Sequence, residues 1–103
     1  MAITERVITT SDGARIAYEV NGDGPPVLAL HGVLVGTSNW IHQMLRLPRF
    51  RWVVPALRGH GKSSPAGEHP TIEQAAFDAV AVLDSEGIER AVVVGNSLGA
   101  TVG

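Results

Sequence analysis

Three short apolar runs without alternation set the strongest limit on how this chain can fold: Val27-Leu28-Ala29-Leu30, Trp52-Val53-Val54 and Ala91-Val92-Val93-Val94. Successive strand residues point to opposite faces, so a strand that is apolar throughout needs cover on both sides, as in a parallel sheet flanked by helices. The segments between the runs supply those helices. Trp40, Ile41, Met44, Leu45 and Leu47 form a short stripe ended by Pro48. A longer helix is predicted over residues 72–86, with Thr71 and Gln74 as a capping box and Gly87 as the stop. Its core face is predicted to carry Ile72, Ala75, Ala76, Ala79, Val80 and Leu83. Ahead of the first run, residues 4–9 and 14–20 read as a hairpin turned at Asp12-Gly13. Ile16, Tyr18 and Val20 alternate with smaller or polar neighbours, as in a half-buried antiparallel strand. Residues 21–26 read as loop. The expectation is an α/β fold: a mostly parallel sheet with an antiparallel N-terminal hairpin, residues 1–103 forming a single unit.

Composition narrows the function classes. With 8 Lys+Arg against 10 Asp+Glu the formal net charge is -2, which gives nucleic acid or an anionic membrane no electrostatic footing. Arg46, Arg49 and Arg51 bracket Pro48 and read as a solvated loop edge. Without cysteine there is neither a disulfide nor a thiolate metal site, and His31, His42, His60 and His69 show no metal-ligand spacing, so no metal or cofactor is expected. No apolar stretch reaches the length of a membrane span, and the mixed-charge N-terminus does not resemble a secretory signal. The expected location is cytoplasmic.

The chemistry is concentrated in Gly95-Asn96-Ser97-Leu98-Gly99, directly after the third apolar run. A Gly-x-Ser-x-Gly match arises by chance in about 3 % of chains of this length. Its place between a buried strand and small residues adds weight. A serine in a tight strand-to-helix turn presents its hydroxyl for nucleophilic attack, and flanking glycines permit the close backbone approach such a turn requires. The bland reading is a plain turn with a helix-capping serine. His31-Gly32 ends the first apolar run, where a loop could offer the Val33 amide to a developing oxyanion, with the Leu98 amide as second donor. Gly32 could equally serve only to turn the chain. Gly61-Lys62-Ser63 copies the end of a phosphate-binding loop, but Ala56 stands where the earlier glycine belongs, so nucleotide binding is not expected. Each histidine reads more naturally as a loop residue than as a general base.

Taken in order, residues 27–32, 53–63 and 88–99 resemble the α/β-hydrolase superfamily, and the resemblance covers essentially the whole chain. It implies that Ser97 is the nucleophile and that the amides of Val33 and Leu98 form the oxyanion hole. The implied elbow and loop glycines are Gly32, Gly95 and Gly99, with residues 58–63 a structural loop beside the site. Gly95-Asn96-Ser97 is similar to the version in hydrolases of carbon–carbon bonds in ring-cleavage products, and also in esterases. Family branches with an aspartate nucleophile, the haloalkane dehalogenases and epoxide hydrolases, are disfavoured by Ser97. Ala56 departs from the family, whose loop commonly has Asp there, and this substitution is expected to loosen the loop's hydrogen bonding.

The family's remaining strands, lid, acid and histidine all follow the elbow. The expectation is therefore a partial fold ending after that turn, with 91–94 as an apolar sheet edge. The resemblance implies a cofactor-free serine hydrolase of a small-molecule ester, or of a carbon–carbon bond next to a ketone, acting through an acyl-enzyme. As 103 residues alone it is expected to show negligible turnover. The alternative is a non-catalytic scaffold that self-associates through that edge; either a homodimer or a missing C-terminal half would cover it.

Overall fold

The computed structural model describes residues 3–31, 40–58, 63 and 72–95, with backbone alone for Ile41, His42 and Ile72. Five strands and two helices follow in the order β1 (Thr4–Thr9), β2 (Arg15–Asn21), β3 (Pro26–Leu30), α1 (Ile41–Arg46), β4 (Arg51–Pro55), α2 (Ile72–Ser85) and β5 (Val92–Gly95). The strands make one mixed sheet ordered β1-β2-β4-β3-β5. β1 with β2 and β2 with β4 are antiparallel, whereas β3 is parallel to both β4 and β5. The predicted α/β architecture and its N-terminal hairpin are thus present.

The first two apolar runs are covered on both faces, whereas Val92 and Val93 of the third are exposed. Leu28, Leu30 and Val53 pack with Ala79 and Val82 of α2, together with Ile16, Tyr18, Leu57 and Ile88. Val27, Ala29, Trp52 and Val54 face the other way, onto Met44 of α1. Alternation along β3 and β4 therefore divides the core into two layers. α1 has only six residues, too few to persist by itself. It is fixed by buried Met44, by Asn21 Nδ2 donating to Met44 O (2.9 Å), and by Trp52 Nε1 donating to Leu47 O (2.9 Å).

Several expectations are corrected. β2 is an interior strand between β1 and β4, so Ala17 is buried as well as Ile16 and Tyr18; it is not half-buried through its middle. The predicted loop is shorter, because Asn21 and Pro26 belong to strands. On α2 the predicted Ala79 is buried and Ala75 and Leu83 pack against the core, but Val80 is 55 % exposed, and Asp78 and Val82 are buried instead. The burial of Asp78 is matched by two hydrogen bonds from Arg58. Thr71, the predicted cap, lies outside the described residues.

The stop at Gly87 is confirmed. Gly87 has φ +70°, its N–H donates to Asp84 O, and the Ile88 N–H donates to Leu83 O (3.0 Å), the paired bonds that close a helix through a left-handed residue. Gly24, at φ +125°, is required for a different reason. A Cβ there would lie 2.1 Å from Arg49 O, so the turn entering β3 can dock on the 48–50 segment only with glycine.

Candidate active site

α1 and α2 lie on opposite faces, and β4 and β5 flank β3 on opposite sides. The winding therefore reverses at β3. In open α/β sheets, ligands bind in the crevice outside the carboxyl ends of strands at such a reversal. Leu30, the last residue of β3, is register partner to Gly95, the last residue of β5. The segment beginning His31-Gly32-Val33 and the segment beginning Asn96-Ser97-Leu98 thus leave from neighbouring strand ends. Gly95 is the predicted site residue within the described region; Gly32, Val33, Ser97, Leu98 and Gly99 lie outside it.

His31 is fully buried, and its Nε2 accepts the Leu57 N–H at 3.0 Å. That ring nitrogen is already engaged, which removes His31 from the general-base candidates. The side chains of His42, His60 and His69 lie outside the described residues.

The segment after β4 is held from several sides. Arg58 Nε and Nη2 donate to the two oxygens of buried Asp78 on α2 (2.6 and 2.8 Å), and Nη2 also reaches Asp12 at the hairpin tip (2.9 Å). These carboxylates raise the Arg58 pKa above its ordinary value, the Asp78 hydrogen bond first, against a smaller opposing effect of burial. Asp12 is held below the usual carboxylate range, first by the Thr10 hydroxyl that donates to it and then by Arg58. Ser63 Oγ donates to Ala56 O (2.6 Å) and accepts the Ala17 N–H (2.9 Å), while the Ala56 N–H donates to Ala17 O (2.8 Å). The Ala56 backbone is thus bonded on both its N–H and its carbonyl, while residues 59–62 of the loop that its sequence was expected to loosen lie outside the described residues. Ser63 is engaged in this scaffold; Gly61 and Lys62 lie outside the described residues.

A second polar cluster sits at the opposite end of the parallel strands. The Glu86 carboxylate, 5 % exposed, accepts from Arg6 Nη1 (2.7 Å to each oxygen), Arg51 Nη2 (2.8 Å) and Tyr18 OH (2.6 Å). Burial pushes its pKa up, but these donors outweigh burial and hold it low. Arg51 is thus part of β4 and of an ion cluster, not of a solvated loop edge. Neither cluster was found from sequence. Asp78, a charge set between Ala75 and Ala79, was the available signal for the first.

Comparison with known proteins agrees with this geometry. The family model described as alpha/beta hydrolase fold matches residues 25–103. The chain is 35 % identical over 94 residues to a non-heme haloperoxidase of Rhodococcus erythropolis, covering 89 % of this chain and 34 % of that protein. It is 35 % identical over 96 residues to a bifunctional esterase/perhydrolase of Acinetobacter calcoaceticus, covering 89 % and 35 %. The crystal structure of epoxide hydrolase VrEH1 from Vigna radiata superposes with a TM-score of 0.88 at 34 % identity, covering 97 % of this chain and 34 % of that one. The chain spans about a third of the length of these relatives.

Proposed function

The chain belongs to the α/β-hydrolase family, and we propose that it carries the nucleophile and oxyanion donors of a serine hydrolase acting on an ester, or on a carbon–carbon bond next to a ketone. The observation that carries this reading is the pairing of Leu30 with Gly95, which starts the two relevant loops side by side. Neighbouring strands lie about 4.8 Å apart. Val33 is three residues beyond Leu30, and Ser97 two beyond Gly95. Both are then within about 10 Å of chain from the same crevice.

In the proposed reaction Ser97 Oγ attacks the substrate carbonyl carbon. Its proton passes to a histidine from outside these 103 residues, and the amides of Val33 and Leu98 donate to the oxyanion. Collapse of the tetrahedral species expels the alcohol, or the enolate carbon of a diketone, which takes up that proton. Water then attacks the acyl-enzyme, releasing the acid and restoring the serine. Relatives named haloperoxidase, epoxide hydrolase and esterase share this frame; a serine at position 97 supports the acyl-enzyme branch over one that opens epoxides with a carboxylate.

The test is hydrolysis of a p-nitrophenyl ester by the product of the complete reading frame. Ser97→Ala is expected to lower kcat by at least about 10³-fold, since a triad nucleophile acts as part of a unit; retained activity would overturn the assignment. Residues 1–103 by themselves are expected to exceed the rate in water by no more than about 10³–10⁴. A second reading, a scaffold that self-associates, is favoured by Val92 (63 % exposed) and Val93 (43 %) on β5 at the sheet edge. Light scattering decides it: a stable dimer without esterase activity favours the scaffold, and an active monomer excludes it.

A further inference from the structure

We infer that Asn21-Gly22 is a covalent modification site gated by the fold: its conversion to a succinimide, and from there to aspartate or isoaspartate, is shut off while α1 is docked and opens when α1 leaves. Asparagine followed by glycine is the pair at which this ring closes most readily, because glycine has no side chain to hinder its own nitrogen. The fold needs both residues where they stand. Asn21 is 5 % exposed at the end of β2, and its Nδ2 donates to Met44 O of α1 (2.9 Å). Gly22 has φ +83°, and a Cβ there would overlap Phe50 O and Pro48 O. A reactive pair is thus built into the seat of α1.

The reaction needs no partner but water. The Gly22 nitrogen, having lost its proton to solvent base, attacks Asn21 Cγ. A bond from that nitrogen to Cγ forms, the Cγ–Nδ2 bond breaks, and ammonia leaves with a proton from water. Water then opens the ring, at Cγ to give isoaspartate's isomer, ordinary aspartate, or at the backbone carbonyl to give isoaspartate. Nothing is oxidised or reduced.

Three features of the folded state oppose it. Ring closure requires the Gly22 nitrogen to eclipse Cβ about the Cα–C bond of Asn21, whereas strand backbone, with ψ about +135°, turns it away. The leaving nitrogen is held on Met44 O. Attack also places negative charge on Oδ1, which is buried and has no hydrogen-bond partner among the described residues. Departure of α1 lifts all three, by freeing Nδ2, admitting water to Oδ1 and loosening the end of β2. With six residues, α1 is the element most ready to open locally. The product opposes its return: a carboxylate at position 21 has no N–H for Met44 O and sets acceptor against acceptor in a buried place. Isoaspartate also lengthens the backbone beside the close contact of Gly22 with residues 48–50.

The experiment uses the product of the complete reading frame, incubated at mildly alkaline pH both folded and in denaturing urea. Peptide mapping by mass spectrometry reads aspartate and isoaspartate at position 21. Exchange of the Leu47 amide, which closes α1 onto Gln43 O, is followed in parallel. The folded protein is expected to convert at least about 10²-fold more slowly than in urea, since the reaction runs through the open fraction. Folded Met44→Ala is expected to convert about 10-fold or more faster than wild type, in step with Leu47 exchange. Should that variant not fold, Trp52→Phe, which removes the bond from Nε1 to Leu47 O, is expected to show the same coupling at about 2–10-fold. Asn21→Asp, the product made directly, is expected to raise Leu47 exchange by about 10-fold or more. Equal conversion folded and in urea, or a folded rate that stays constant while Leu47 exchange rises, would overturn the inference. So would unchanged Leu47 exchange in Asn21→Asp.

Discussion

Asp78 is 1 % exposed on the inward face of α2, and the guanidinium of Arg58 occupies both of its oxygens. Removing one partner of such a pair strands the other, at a cost of about 3–5 kcal/mol, whereas replacing both with apolar groups of similar volume is often near neutral. Arg58→Met is therefore expected to lose about 3–5 kcal/mol in urea unfolding, and Arg58→Met with Asp78→Leu to recover most of it. Equal losses in the single and double variants would show that Asp78 does not need its partner. At this scale little was legible in sequence. Arg58 and Asp78 are 20 residues apart, and Arg6 and Glu86 are 80 apart. No local period or spacing announces a charge whose partner is supplied by a distant element. His31 was legible as the end of a strand but not as an acceptor, since its donor, the Leu57 N–H, lies 26 residues away in the chain.

At the scale of elements, local signals were more informative. The strands and both helices follow from apolar runs, turn residues and stops whose physics is contained in a few consecutive positions. The Gly87 stop is an example: left-handed backbone there costs an L-residue about 1–2 kcal/mol, so Gly87→Ala is expected to lower stability by about that amount in thermal or urea unfolding. No change would contradict the assigned geometry. Where local signals failed, tertiary contacts had overridden them. The face of α2 was misread by placing Val80 inside, because a charged residue was not counted as a core residue. α1 depends on packing rather than propensity, so Met44→Ala is expected to cost about 2–5 kcal/mol. Retained stability in that variant would mean that α1 is held by its backbone bonds alone.

For the whole molecule, the two polar clusters tie opposite ends of the sheet to α2. Glu86 gathers Arg6 of β1, Tyr18 of β2 and Arg51 of β4. Its carboxyl is depressed below the ordinary value of 4.5, so the folded state takes up its proton less readily than the unfolded one. That stabilisation is fully present above the ordinary value and is lost as pH falls through the lower folded value. Asp12 adds in the same direction. The thermal midpoint is expected to fall below about pH 5, with a shallower fall in Glu86→Gln. That variant is also expected to cost about 2 kcal/mol at pH 7, because charge-assisted hydrogen bonds are lost. Identical acid slopes would remove Glu86 as the cause.

These clusters make the sheet a rigid base, and the functional claim concerns what stands at its carboxyl end. Peptide mapping by mass spectrometry after fluorophosphonate treatment of the product of the complete reading frame tests that claim most directly. The account predicts a single covalent adduct, on Ser97. An adduct on another serine, or none on a folded protein, would contradict it.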